Sequence, residues 1–171
     1  MIVKMPTDVY HTIAQESLGW KMIEPIIERI KGKDPIEKSQ VYAKLTEGQK
    51  ALFMFFVFHK HTESVEEFYW FASYFVGDLQ AWPSLKTGMK QFKDEAMLHI
   101  YEQVEALIES YNRQIDRSWR KAIVSDLEHN TELYSKVSHL YDAYKKQAPR
   151  TLELIHLYIN NNVEEFVELV T

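Results

Sequence analysis

Two histidine patterns are the first places in this sequence where side chains could do chemistry. His59 and His61 form an H-x-H pair. On a β-strand both imidazoles would project from one face and could chelate a metal ion. On an α-helix the same rings point about 200° apart and cannot share one. The second pattern repeats at i, i+3: His99 with Glu102, His129 with Glu132, His139 with Asp142, and Glu153 with His156. A carboxylate and a histidine at that spacing share a helical face. A dinuclear carboxylate centre in a helical bundle takes Glu-x-x-His from each of two helices, facing inward. One match occurs, Glu153-Leu154-Ile155-His156, which leaves such a centre without its second half.

The apolar stripes decide which way these residues face. Met97, Tyr101, Val104 and Ile108 line one side of their segment, and His99 groups with Glu95 and Glu102 on the other. His129 and His139 fall opposite the stripe of Trp119, Ile123 and Leu127. These pairs read as solvated polar faces. His156, set among Leu152, Leu154, Ile155, Leu157, Tyr158 and Ile159, reads as a boundary histidine hydrogen-bonded to a carbonyl or carboxylate. His59 and His61 read as polar residues at a helix end, where histidine suits the negative end of the dipole. No metal, no other cofactor and no catalytic residue is expected. Under the competing reading, a metal-dependent or small-ligand enzyme of the bundle type, the residues to test as ligands are His59, His61, Glu153 and His156.

Other enzyme classes lose their anchors. The chain has no cysteine, which removes disulfides, thiol nucleophiles and thiolate metal sites together. It contains no G-x-S-x-G elbow, P-loop, G-x-G-x-x-G or H-E-x-x-H, and its five glycines could not build many such loops. The net charge of −5, from 20 basic and 25 acidic side chains, argues against nucleic-acid binding, which needs a basic face. Charge is uneven, however. Residues 113 to 121 carry four bases, Arg113, Arg117, Arg120 and Lys121, against one acid, Asp116. On a helix the three arginines share a face, so these four residues mark a surface for an anion or an acidic partner. Residues 151 to 171 carry Glu153, Glu164, Glu165 and Glu168 and no base, so the two charged stretches could also meet within the chain.

The elements that must position these residues are predicted to be helices. Gly and Pro together number only 10 of 171 residues, against a usual share of roughly 12%, which starves a β-rich fold of turns. The run ALFMFFVF at 51 to 58 is too short to cross a bilayer: as a helix it spans about 12 Å against a hydrocarbon core of about 30 Å. Thr46 with Gln49 makes a capping box ahead of it and Ser64 with Glu67 repeats the device behind, so a helix is expected over 47 to 61 and another from Val65. A helix apolar on every side belongs at the centre of a bundle. Between Ala51 and Trp82 lie 11 of the 23 aromatic residues, enough for a thick core with rings left over for an apolar pocket or an interface.

The remaining segments divide in the same manner. A helix over 7 to 31 should kink at Pro25 or split near Gly19, and Gly32 closes it. Asp34-Pro35 opens a short helix to about Leu45, and Trp82-Pro83 marks a break. A long helix from about Trp119 should end before Pro149, with a local break at Asn130. Pro149 should open another, and Asn162 with Glu165 should cap a terminal one. The expected fold is all-α: a single-domain bundle, residues 1 to 171, of about seven helices around the apolar helix 47 to 61. The amino-terminal stretch lacks the apolar core of a signal peptide, so a cytoplasmic location is expected. The expected function is that of a non-catalytic helical interaction or regulatory module, binding a protein partner or self-associating as a homodimer through aromatic surface.

Overall fold

Helix starts in this chain are fixed by short polar side chains that satisfy backbone donors with no partner inside the helix. In the computed structural model, which describes residues 2–170, the order is β1 (Val3–Pro6), α1 (Thr7–Thr12), α2 (Gln15–Ile30), α3 (Pro35–Ala43), α4 (Glu47–His59) and α5 (Val65–Ser73). There follow α6 (Trp82–Phe92), α7 (Glu95–Asn112), α8 (Ser125–His129), α9 (Thr131–Asn161), α10 (Val163–Phe166) and β2 (Val167–Val170). Asp34, Thr46, Ser64, Asp94 and Asn130 each accept a hydrogen bond from the backbone N–H three residues on. At Thr46 the Gln49 amide oxygen accepts in return, which completes the capping box.

The protein is an all-α single domain with ten α-helices among the described residues and one small sheet. Three of the helices, α1, α8 and α10, have only four to six residues, too few to show a periodicity in sequence. Helix α4 packs chiefly on α6, where Gly88 lets the backbones approach: a Cβ there would lie 3.3 Å from Ala51. Phe55 and Phe58 are fully buried. Around Phe58 stand Phe68, Phe75, Trp82, Tyr101 and Tyr144, all edge to face with ring centroids 5.4 to 5.9 Å away. That arrangement sets positive ring edges against negative faces and adds to the area buried. No helix among the described residues is long and apolar enough to cross a membrane.

Several boundaries differ from those expected. Pro25 neither kinks α2 into two pieces nor splits it at Gly19; the break lies upstream at Ala14, which is extended. Pro149 likewise does not open a new helix but sits inside α9, which runs unbroken to Asn161. Both prolines are on solvent-exposed positions. Buried residues flank each of them: Met22, Ile23 and Ile26 around one, Ala148, Thr151 and Ile155 around the other. A proline costs a helix about 3 kcal/mol, and burial of the large apolar side chains nearby, Met22, Ile23 and Ile26 on α2 and Ile155 and Ile159 on α9, at about 1.5–3 kcal/mol each, outweighs it.

At the carboxyl end, Asn162 gives no side-chain cap, and α10 is a single turn that passes into β2. That strand pairs in parallel with β1, Val3 opposite Val167 and Pro6 opposite Val170, with Lys4 and Glu168 in a 3.1 Å ion pair. Four residues each, Val-Lys-Met-Pro and Val-Glu-Leu-Val, are too few for their alternation to mark a strand in the sequence. Helix α10 is held by its own Glu165, whose carboxylate accepts from the Thr46 hydroxyl and the Gly48 N–H at the start of α4.

Candidate functional site

The two imidazoles of the H-x-H pair diverge. His59 ends α4 and turns inward, stacked on Phe55 at 5.2 Å, with Nδ1 2.6 Å from the Tyr144 hydroxyl. Thr62 donates to the His59 carbonyl and lies 3.4 Å from the same hydroxyl. Burial, reinforced by Lys145 and Lys60, pushes His59 down to about 4, while burial pushes the Tyr144 phenol up. At neutral pH the phenol therefore keeps its proton and donates it to a neutral imidazole. His61 is exposed and stacks flat on Phe71 at 4.5 Å.

Glu153 and His156 are also separated by their partners. Glu153 takes a 2.6 Å bond from Arg150. His156 Nε2 accepts from the Asn160 amide at 2.8 Å, and the Asn160 oxygen accepts from Tyr10 at 2.7 Å. The other nitrogen, Nδ1, is buried without a partner. Among the described residues no group of three or more His, Asp or Glu side chains is placed to hold a metal ion.

The four basic residues do not lie on a helix. Residues 113 to 124 form a loop closed by a bridge between Arg113 and Trp119. The cause is local: Asp116 accepts from the N–H and the hydroxyl of Ser118, an Asx-type turn that competes with helix formation. Arg113 grips both oxygens of Glu109 and covers the Trp119 ring at 5.4 Å. Arg120 forks onto Asp126 at 3.0 and 2.9 Å and donates to Asn112 at 2.7 Å. Burial pushes the Asp126 carboxyl up, but Arg120, the Ile123 N–H and Tyr69 more than offset it and hold it below its usual range. Arg117 and Lys121 are exposed and make no ion pair among the described residues. Trp119 packs onto Gly77, in the wide turn Tyr74–Asp78 that continues α5, so closely that a Cβ there would lie 1.9 Å from the indole nitrogen.

Folding of this loop creates a groove that no single stretch of sequence contains. Glu66 of α5, Val124, Leu127 and Glu128 around α8, and Thr131 and Tyr134 of α9 line a depression of about 280 Å³. Leu127 forms a buried floor, whereas Val124 and Tyr134 are 43% and 44% exposed. The Glu66 and Glu128 carboxylates make no ion pair among the described residues. On α5 the face of Glu66 continues through Trp70 and Tyr74, whose half-exposed rings stack at 5.5 Å. A second depression, between α4 and α6, is more polar, and its Lys50 and Glu47 neutralise each other at 2.7 Å. The first groove lies at the small end of the roughly 300–1,000 Å³ usual for a small-molecule site, a size that also suits the side chains of a peptide.

Comparison with known proteins gives no family model that matches the chain, no similar curated protein and no similar solved structure. Function must be argued from this geometry. The spacing of Glu66, Trp70 and Tyr74 is legible in sequence as one helical face; the contribution of Val124 and Tyr134 is not, because a loop of unexpected shape brings them there.

Proposed function

We propose that this protein is a non-catalytic helical interaction module that docks a protein segment in the groove between α5, α8 and α9. The observation that supports this is the pairing of exposed Val124 and Tyr134 over buried Leu127 with two carboxylates, Glu66 and Glu128, that lack counter-ions. Apolar surface of this kind gains free energy when covered, at about 25 cal/mol per Å². Unpaired carboxylates at the rim favour a partner that brings positive charge and steer its approach. The partner segment therefore carries an apolar anchor beside one or two basic residues. A cytoplasmic setting suits a chain without cysteine, since disulfides are rare where thiols are kept reduced.

The test is to recover the partner from the native cells and measure its affinity by calorimetry. Val124→Asp should weaken binding by about tenfold or more, and Tyr134→Ala by a similar factor. The double change Glu66→Gln with Glu128→Gln should reduce both affinity and its salt dependence. A bound partner indifferent to all three would refute the assignment of this groove.

A further inference from the structure

Resting on that reading of the groove, we infer that its occupant is the 113 to 121 loop of a second copy of this chain, the two copies exchanging loops across a two-fold axis. The chain carries both halves of the contact. The groove offers an apolar floor with Glu66 and Glu128 in its lining; the loop offers Ile115, fully exposed, with Arg117 and Lys121 in the same loop, and none of these four charges makes an ion pair among the described residues. Apolar matches apolar and acid matches base, which is the complementarity a specific interface needs. The loop does not use its own groove, since Ile115 is bare.

The loop is also built to hold its tip out. Its two arms are fixed: Arg113 on Glu109 at the start, and Trp119 against Gly77 with Arg120 on Asp126 and Asn112 at the end. Within it, Gln114 N–H donates to the Ser118 carbonyl at 3.0 Å, Arg117 N–H to the Gln114 carbonyl at 2.9 Å, and Ser118 N–H to Asp116 at 2.9 Å. An ordered loop loses little freedom on docking, so more of the contact energy appears as affinity. Arg117 occupies left-handed backbone, φ 68°, where glycine or asparagine is usual. That turn sets the Arg117 side chain at the exposed tip of the loop.

The location of the two halves selects the symmetry. Val124 follows Lys121 by three residues, so the end of the loop runs directly into the lining of the groove. A two-fold axis beside them lets each loop reach the other copy's groove, and both contacts close at once.

Sedimentation equilibrium of the full chain over a range of concentrations tests this. The mass should rise from one chain to two and stop, with weaker association at high salt. Ile115→Asp changes a residue that touches nothing in the single chain, so the fold should survive while dimerisation weakens about tenfold or more. Val124→Asp should do the same. Arg117→Glu with Lys121→Glu should also weaken the dimer, and adding Glu66→Lys with Glu128→Lys should restore it. A mass of one chain at millimolar concentration, a mass that climbs past two chains, a dimer untouched by Ile115→Asp, or no rescue in the reversed-charge variant overturns the inference. The groove reading is separable. If the chain stays single but a recovered partner loses affinity to Val124→Asp, loop exchange falls and the groove stands; if neither responds, both fall.

Discussion

Stability should fall between pH 6.5 and 4 because of one residue. His59 titrates near 6.5 when unfolded and is pushed down to about 4 in the fold, by burial first and by Lys145 and Lys60 second. Over that interval the unfolded chain binds the extra proton, so unfolding is favoured as pH drops. The stabilisation is fully present above pH 6.5 and is lost as pH falls through 4. At about 1.4 kcal/mol per pH unit, a displacement from 6.5 to about 4 is worth about 3 kcal/mol, a large share of the 5–15 kcal/mol typical of a domain. The geometry agrees with the sign. Protonated His59 would present N–H toward the Tyr144 oxygen at 2.6 Å, and the phenol proton would have to find another acceptor in a pocket where Thr62 is the other polar neighbour.

The assay is urea unfolding at steps of pH, followed by circular dichroism. His59→Gln supplies the comparison, because an amide oxygen can still accept from Tyr144 but does not titrate. The native chain should lose stability steeply from pH 6.5 to 4.5, before the carboxylates held low by their partners, such as Asp126 and Glu109, begin to protonate. The variant should show a shallower slope in that window. An equal slope in both proteins would refute the assignment to His59.

Other perturbations follow from single contacts. Gly77→Ala forces the Trp119 indole out of its seat, which should cost about 1–3 kcal/mol and shift tryptophan emission to the red as the 113 to 124 loop loosens. An unchanged emission maximum would mean that the loop is anchored elsewhere. Tyr101→Phe should raise stability by about 1 kcal/mol, since the Tyr101 hydroxyl is buried with no hydrogen-bond partner and burial holds its proton on tightly. A loss of stability in thermal unfolding would show that this hydroxyl has a partner after all.

Helix identity was legible wherever capping chemistry and apolar character agreed. Thr46 with Gln49 and Ser64 with its N–H partner Glu67 placed the starts of α4 and α5, and Asp34-Pro35 placed α3. Proline misleads in sequence because its local cost is offset by neighbours that the local pattern does not show. Pro25 and Pro149 face solvent on helices that are buried along the other side, and the flanking packing decides. The pairing of β1 with β2 was not legible at all, since it joins residues more than 160 positions apart through strands of four.

The candidate site was hidden for a related reason. Trp119, Ile123 and Leu127 fall at helical spacing, and that periodicity predicts a helix from about Trp119 onward. Two interactions outside the stretch break it: Gly77 leaves room for the Trp119 ring, and Tyr69 with Asn112 completes the cage that holds Arg120 on Asp126. Once those two side chains are spent inward, the residues before and after them cannot follow a helical face. Ile115 and Arg117 are left at the tip, and Ile123 and Val124 are left at the surface beside Tyr134. Of the apolar face that a helix would have buried, Ile123 is thus exposed, while Trp119 and Leu127 still pack inward. The same two anchors that defeat the periodicity also fix the loop's shape, so loosening either should weaken any contact the loop or groove makes. For Gly77→Ala this means weaker partner binding or dimerisation together with the emission shift. A variant whose loop is visibly loosened yet binds at full strength would separate the groove from the loop and remove the reason for treating them as one surface.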